Sequence, residues 1–289
     1  MILLCSLLLF FIELYPLKVK KKEFVLPLIL IHKEIMTEEI NPKIKQRIIF
    51  FIKQKNYSAA EQLIAKAIKK YSNSMYLKEL LAYCHYEKGE YEDAIRSYNL
   101  ILKSDIEVSY EIFLFLGNSL GNLGFRKEAI IYLEKSLVNN PSKSSSLNNL
   151  GIQHELLKDF NKAAEYYNKS IEHNINFELG YTNLAGIKEK LGNTQESLGL
   201  YEKCLKLNSN NTAALLGLAN LYLITKSYDE AYNLFTKVLK IDSSIKKAYT
   251  GLGNILLSKG DYIEGLKMLQ KGIGVIKFIK GNDLKIISS

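Results

Sequence analysis

The sequence predicts an all-α protein, a solenoid of about seven helix–turn–helix units, and three observations carry that expectation. Small residues recur at Ala60, Ala94, Ala129, Ala163, Ser197, Ala231 and Gly265, 34 residues apart except for one gap of 35. Apolar residues fall at three- and four-residue steps around them, the period of an amphipathic helix. Glycine or lysine stands at a fixed place in every unit, where a first helix must close before a second begins. A period this long means one supersecondary unit copied along a line, each copy unable to bury its apolar face alone.

Residues 1–35 stand ahead of the repeat. Residues 2–12, ILLCSLLLFFI, are apolar without a break; Glu13 interrupts them, and Pro16 and the basic cluster Lys18, Lys20, Lys21 and Lys22 follow. A secretory signal carries its charge before the apolar run and small residues after it, the reverse of this order. A membrane span needs about 20 apolar residues, which this run reaches only by burying Glu13. The second apolar piece, Phe24 to Ile31, is short and contains Pro27. Two readings stand: a hydrophobic anchor, giving a membrane-associated protein, or translation from Met36, giving a cytoplasmic one. The segment MTEEINPKIKQ has the composition of a soluble amino terminus and favours the second.

Residues 36–273 hold the repeats, with units starting near 41, 75, 110, 144, 178, 212 and 246. The third unit shows every element. Phe113, Leu116, Leu120 and Leu123 make the stripe of its first helix, and Gly117 lets the two helices approach where they cross. Ala82, Gly151, Ala185, Ala219 and Gly253 are its equivalents, whereas the first unit has Ile48. Gly124 closes the first helix in the left-handed conformation, as do Gly89, Gly192 and Gly260, with Lys55, Lys158 and Lys226 in the other units. In the second helix Ala129, Leu133 and Ser136 form the packing stripe, and Pro141 is expected to stop it. Lys69, Lys103, Lys206 and Lys240 gather near the ends of second helices, opposing the helix dipole on the outer wall.

These residues resemble the tetratricopeptide repeat family. The pairs Leu150-Gly151, Leu184-Ala185 and Leu252-Gly253, the turns GEYEDA at 89–94 and GDYIEG at 260–265, and the 34-residue period match its pattern from residue 41 to about 273. Tryptophan is absent, and the last unit carries Gly265 and Gly272 at its small-residue sites, departures that include the end of the stack. The resemblance implies a right-handed solenoid whose first helices line a concave face that binds peptides. Residues 274–289, GVIKFIKGNDLKIISS, form a carboxyl-terminal cap: either two short strands around Gly281-Asn282-Asp283, or a fraying continuation of the last helix.

The formal charge of +9 rests on 39 basic residues, of which only Arg47, Arg96 and Arg126 are arginine. Readers of nucleic acid lean on the arginine fork, so lysines spread over every unit argue for a solvated exterior and against a nucleic-acid partner. Cys5, Cys84 and Cys204 have no disulfide or metal spacing. His85 and His154 share one internal position, which suits packed imidazoles better than ligands. No catalytic constellation, cofactor cradle or metal set is legible, so no enzyme activity, cofactor or metal is expected.

The expected function is a non-catalytic scaffold holding an extended peptide or helix of another protein. Candidate contacts are Tyr83 and Tyr86, then Asn118, Asn149, Asn183, Asn220 and Asn254. A row of asparagines can donate to and accept from a peptide backbone; the plainer reading is that they bond locally within the stack. Glu79, Glu87 and Glu111 accompany the tyrosines in the first half of the groove, and Leu216, Leu223, Ile224 and Leu257 line its end. A peptide basic at one end and apolar at the other would complement that surface. Members of the family that hold acidic chaperone tails place basic residues where this chain has Leu114, Ser145, Leu179 and Asn183, so that specialisation is not expected. Two other roles stay open: the repeat arm of a larger or split transferase-type enzyme, and a membrane-tethered assembly factor if residues 1–31 are translated.

Overall fold

The computed structural model describes residues 40–104, 108–138, 140, 143–279 and 283–287. The apolar run before residue 36 and the start at Met36 lie outside them. The described residues contain fourteen helices in seven pairs: α1 (Pro42–Lys53) with α2 (Tyr57–Lys70), α3 (Met75–Lys88) with α4 (Tyr91–Leu102), α5 (Tyr110–Asn122) with α6 (Arg126–Lys135), α7 (Lys143–Leu156) with α8 (Phe160–His173), α9 (Glu178–Lys190) with α10 (Thr194–Leu207), α11 (Thr212–Ile224) with α12 (Tyr228–Ile241), and α13 (Lys246–Ser258) with α14 (Tyr262–Ile273). This is an all-α repeat solenoid. The chain divides into two compact units, Met1–Glu111 and Ile112–Ser289.

All seven pairs turn in the same way. One or two residues past the end of each first helix stands a residue with a positive φ: Lys55 56°, Gly89 81°, Gly124 89°, Lys158 63°, Gly192 79°, Lys226 61° and Gly260 87°. The next backbone N–H then reaches five residues back, as from Glu90 to His85 O (2.9 Å) and from Asp159 to His154 O (2.9 Å). This double closure satisfies carbonyls that the helix end leaves orphaned and sets the following helix antiparallel to the first. Side chains cap several starts: Asn56 accepts from Ala59 N–H at 3.2 Å and Asn211 from Ala214 N–H at 3.0 Å.

In the first unit Ile48, Ile52, Ala60, Ile64, Leu77, Leu80, Ala82, Ala94 and Tyr98 form the core. In the second, each helix from α7 onward packs on the next, and the first helices also touch one another, α7 on α9, α9 on α11 and α11 on α13. Close approach within a pair depends on the small residues. A Cβ built on Gly151 would lie 2.5 Å from the Tyr167 ring, which fills the space a side chain would need. Ser197 is fully buried at a small-residue site, and its hydroxyl donates to Ala185 O at 2.8 Å, so its polarity costs little there.

α6 corrects one expectation. It ends at Lys135, short of Pro141, which lies outside the described residues. Its end tightens instead: Leu137 N–H donates to Glu134 O at 3.0 Å and Val138 N–H to Lys135 O at 3.2 Å, bonds spanning three residues in place of four. Ser136, buried beneath this turn, donates to Leu133 O at 2.6 Å and lies 2.8 Å from the Ser146 hydroxyl. After α14, β1 (Val275–Ile279) and β2 (Asp283–Ile287) pair antiparallel, with Val275 opposite Ile287 and Ile279 opposite Asp283. Residues 280–282, which contain most of the expected turn, lie outside the described residues. Among the described residues no helix is long and apolar enough to cross a membrane.

Candidate protein-binding surface

In the second unit α5, α7, α9, α11 and α13 carry the five candidate asparagines, which do not form one row. Asn118, Asn220 and Asn254 are the ninth residues of their repeats, and Asn149 and Asn183 the sixth. The amides of three consecutive repeats bond to one another. Asn149 Nδ2 donates to Asn118 Oδ1 at 2.7 Å, and Asn183 Nδ2 donates to Asn148 Oδ1 at 2.9 Å. Asn148, buried between them, donates more weakly to Asn149 Oδ1 at 3.5 Å, so four amides link α5, α7 and α9. Each good bond of this kind is worth about 1 kcal/mol net, and its larger effect is to fix which helix faces meet.

Asn220 on α11 and Asn254 on α13 differ. Both are exposed, and neither side chain hydrogen-bonds to a described residue. On the same helices Leu216, Leu223 and Leu257 are partly exposed and Ile224 is 68% exposed, and on α9 Leu179 is 56% exposed. Two glutamates, Glu155 on α7 and Glu189 on α9, are approached by tyrosines of the second helices. Tyr167 OH donates to Glu155 Oε2 at 2.8 Å and Tyr201 OH approaches Glu189 at 3.5 Å, while Lys190 pairs with Glu155 at 2.5 Å. Burial first, and these carboxylates second, push the Tyr167 hydroxyl well above its ordinary pKa and the Tyr201 hydroxyl up to about 12. Both phenols therefore remain donors at neutral pH.

In the first unit the two candidate tyrosines part company. Tyr83 is 5% exposed and packs edge-on against Tyr57, with ring centroids 6.4 Å apart, so it belongs to the core and not to an open groove. Tyr86 is half-buried against Tyr91 at 6.0 Å. Glu87 accepts from Tyr57 OH at 2.9 Å. His85, Glu90 and Asp93 bring three atoms of metal-ligand type within 4.8 Å of one another. Lys88, 2.8 Å from Glu90, and Arg96 on Asp93 already neutralise both carboxylates and hold them below the usual carboxylate range. His154 is buried and stacked on Tyr166 at 5.2 Å.

A tetratricopeptide repeat model matches residues 51–107 and 183–244, and a second such model matches residues 144–174, together more than half of the chain. The chain belongs to the tetratricopeptide repeat family. No curated protein matches its sequence. Among solved structures, a tetratricopeptide repeat protein from Parabacteroides merdae is similar at 18% identity and a TM-score of 0.61, covering 80% of this chain and 91% of that one. Pseudomonas aeruginosa PilF is similar at 20% identity and a TM-score of 0.61, covering 70% and 92%. In the APC/C hetero-tetramer Cut9–Hcn1 the likeness has 20% identity and a TM-score of 0.63, covers 74% of this chain, and spans only 42% of the other. Likeness at these identities establishes the fold. As a tetratricopeptide repeat protein the chain is built as a protein-interaction scaffold.

Proposed function

We propose that this tetratricopeptide repeat protein holds an extended, largely apolar segment of another protein across α9, α11 and α13. The observation that supports this is the contrast among the asparagines: Asn149 is spent on Asn118 and Asn183 on Asn148, whereas Asn220 and Asn254 present exposed amides on helices with partly exposed leucines. Each such amide can donate to and accept from one peptide group. Neighbouring packed helices lie about 8–10 Å apart, which is about three residues of extended chain at roughly 3.3 Å each. The two amides therefore suit peptide groups three residues apart, with apolar side chains between them settling on Leu216, Leu223 and Leu257.

The test starts by capturing the partner with the full chain, mapping the bound segment and measuring its affinity as a synthetic peptide. Replacing Asn220 and Asn254 together with alanine should weaken that affinity by about tenfold or more, since two hydrogen bonds of about 1 kcal/mol each are lost. The melting temperature should stay unchanged. Unaltered affinity in the double variant would remove the basis of this reading.

A further inference from the structure

The helix ends of the second unit fall on two edges of unlike charge. Each pair is antiparallel and the pairs pack in chain order, so the turns within pairs share one edge and the connections between pairs share the other. At the first edge, residues 122–128, 156–162, 190–196, 224–230 and 258–264 carry seven basic and seven acidic residues. At the second, residues 135–145, 169–179, 203–213 and 237–247 carry nine lysines, no arginine and three acids. Two of those acids are engaged locally. Glu178 accepts from the side-chain amides of Asn208 and Asn211 at 2.8 and 3.0 Å, and Asp242 from the N–H and hydroxyl of Ser244 at 2.8 and 2.6 Å. Among the described residues Lys203, Lys206, Lys237, Lys240, Lys246 and Lys247 make no ion pair.

The same edge exposes one large aliphatic side chain from each of four consecutive repeats. Val138 is 66%, Ile175 67%, Leu207 40% and Ile241 41% exposed, each within three residues of the end of a second helix. Exposed aliphatic residues scattered singly are ordinary, but these recur with the repeat and stand among lysines. The helix dipole accounts for lysine at the ends of second helices, as at Lys206 and Lys240. It opposes Lys246 and Lys247, which occupy the first turn of α13, where Ile245 supplies no side-chain cap. These two charges are unfavourable to the helix that bears them and become favourable against anions outside it. Lysine, a compact and strongly hydrated point charge, suits diffuse attraction to many anions better than a paired fork. Lysines interleaved with aliphatic side chains complement an anionic bilayer, with the ammonium groups at the lipid phosphates and the aliphatic groups at the acyl boundary. We propose that this edge of the second unit docks on an anionic lipid membrane. It is separate from the asparagines Asn220 and Asn254, and the two readings are independent.

The test measures partition of the full chain onto vesicles of phosphatidylcholine and of phosphatidylcholine mixed with phosphatidylglycerol. The wild type should bind the anionic vesicles about tenfold or more tightly than the neutral ones, and added salt should erase that preference. Lys240→Gln, Lys246→Gln and Lys247→Gln together should weaken anionic binding by about tenfold or more. Lys158→Gln, Lys226→Gln and Lys259→Gln, the same loss of charge at the opposite edge, should weaken it by less than about threefold. Leu207→Ser with Ile241→Ser should weaken it by about tenfold. Residues 1–35 are common to all variants, so differences among them report on this edge alone. Lys246→Gln with Lys247→Gln should melt no lower than the wild type, which separates lost docking from lost folding. Equal losses in the two lysine triples would overturn the proposal, as would equal binding of the wild type to neutral and anionic vesicles. So would a first triple that loses binding to polyglutamate or duplex DNA while its vesicle binding is unchanged.

Discussion

Lys55, Lys158 and Lys226 show how a single position can be legible from sequence and still carry a cost. Each occupies the turn site that glycine fills in the other repeats, and each takes the same left-handed backbone, with φ between 56° and 63°. For a residue with a Cβ that conformation costs about 1–2 kcal/mol, which the tight antiparallel turn of the pair offsets. Lys158→Gly and Lys226→Gly should each stabilise the second unit by about 1 kcal/mol, less a few tenths for the extra freedom of glycine in the unfolded chain. Chemical denaturation would measure this, and a loss of stability would show that the lysine side chains matter more than the backbone. His154 supports a pH prediction. Burial first, and the charge of Lys162 second, hold its pKa below the ordinary 6.5 despite Asp159 at 3.8 Å. The folded state therefore binds fewer protons than the unfolded one. The stability this gives is complete above about pH 6.5 and is lost as the pH falls through the lower folded value. Melting temperatures at pH 7 and pH 5 should diverge more for the wild type than for His154→Gln.

Helices and their pairing were legible where one repeat constrains another, and obscure where two helices share a contact. The small-residue site at the helix crossing could be read because six of the seven copies show the same restriction, Ile48 being the exception, and Gly151 against Tyr167 shows its physical cause. Gly151→Ala should cost about 1–3 kcal/mol through overpacking, and Gly151→Ala with Tyr167→Leu should recover part of it in the same urea titration. The asparagines were harder. Sixth and ninth positions are one turn apart on the same helix face, so the sequence fixes the face but not that Asn149 reaches Asn118 while Asn183 reaches Asn148. Tyr83 was misplaced for a related reason: Tyr76, Leu77, Leu80, Ala82, Tyr83 and Cys84 are all buried on α3, so apolar periodicity leaves no clean outer face to read. α6 ends at Lys135, ahead of Pro141, and closes with three-residue backbone bonds at Leu137 and Val138 that a local breaker rule does not register.

For the whole molecule, stability follows from neighbours. A stack of repeats is close to a sum of internal terms and nearest-neighbour interfaces, so damage should stay local. Phe235 is fully buried in a cluster with Leu215, Ala219, Val238, Ala248 and Leu252, which joins α11 and α12 to α13. Phe235→Ala should cost about 3–5 kcal/mol, and hydrogen exchange should show the lost protection concentrated in α11 to α14. Uniform loss across α1 to α4 as well would contradict nearest-neighbour behaviour. The fold was predictable because it repeats. The binding surface was less so, because specificity rests on the side chains that differ between repeats.

The amide chain through α5, α7 and α9 also grades the second unit mechanically. Asn118, Asn149, Asn148 and Asn183 act as stitches across three consecutive first helices, whereas among the described residues no side-chain hydrogen bond joins α11 to α13. One stretch of the stack is thereby pinned by directional bonds, and the stretch bearing Asn220 and Asn254, held by non-directional apolar packing, is expected to slide more readily helix on helix. Spin-label pairs should report a narrower distance distribution across α5 and α9 than across α9 and α13, and Asn148→Ala should broaden the first toward the second. A stack built this way is stitched by side chains along one stretch and joined by apolar packing alone along the next.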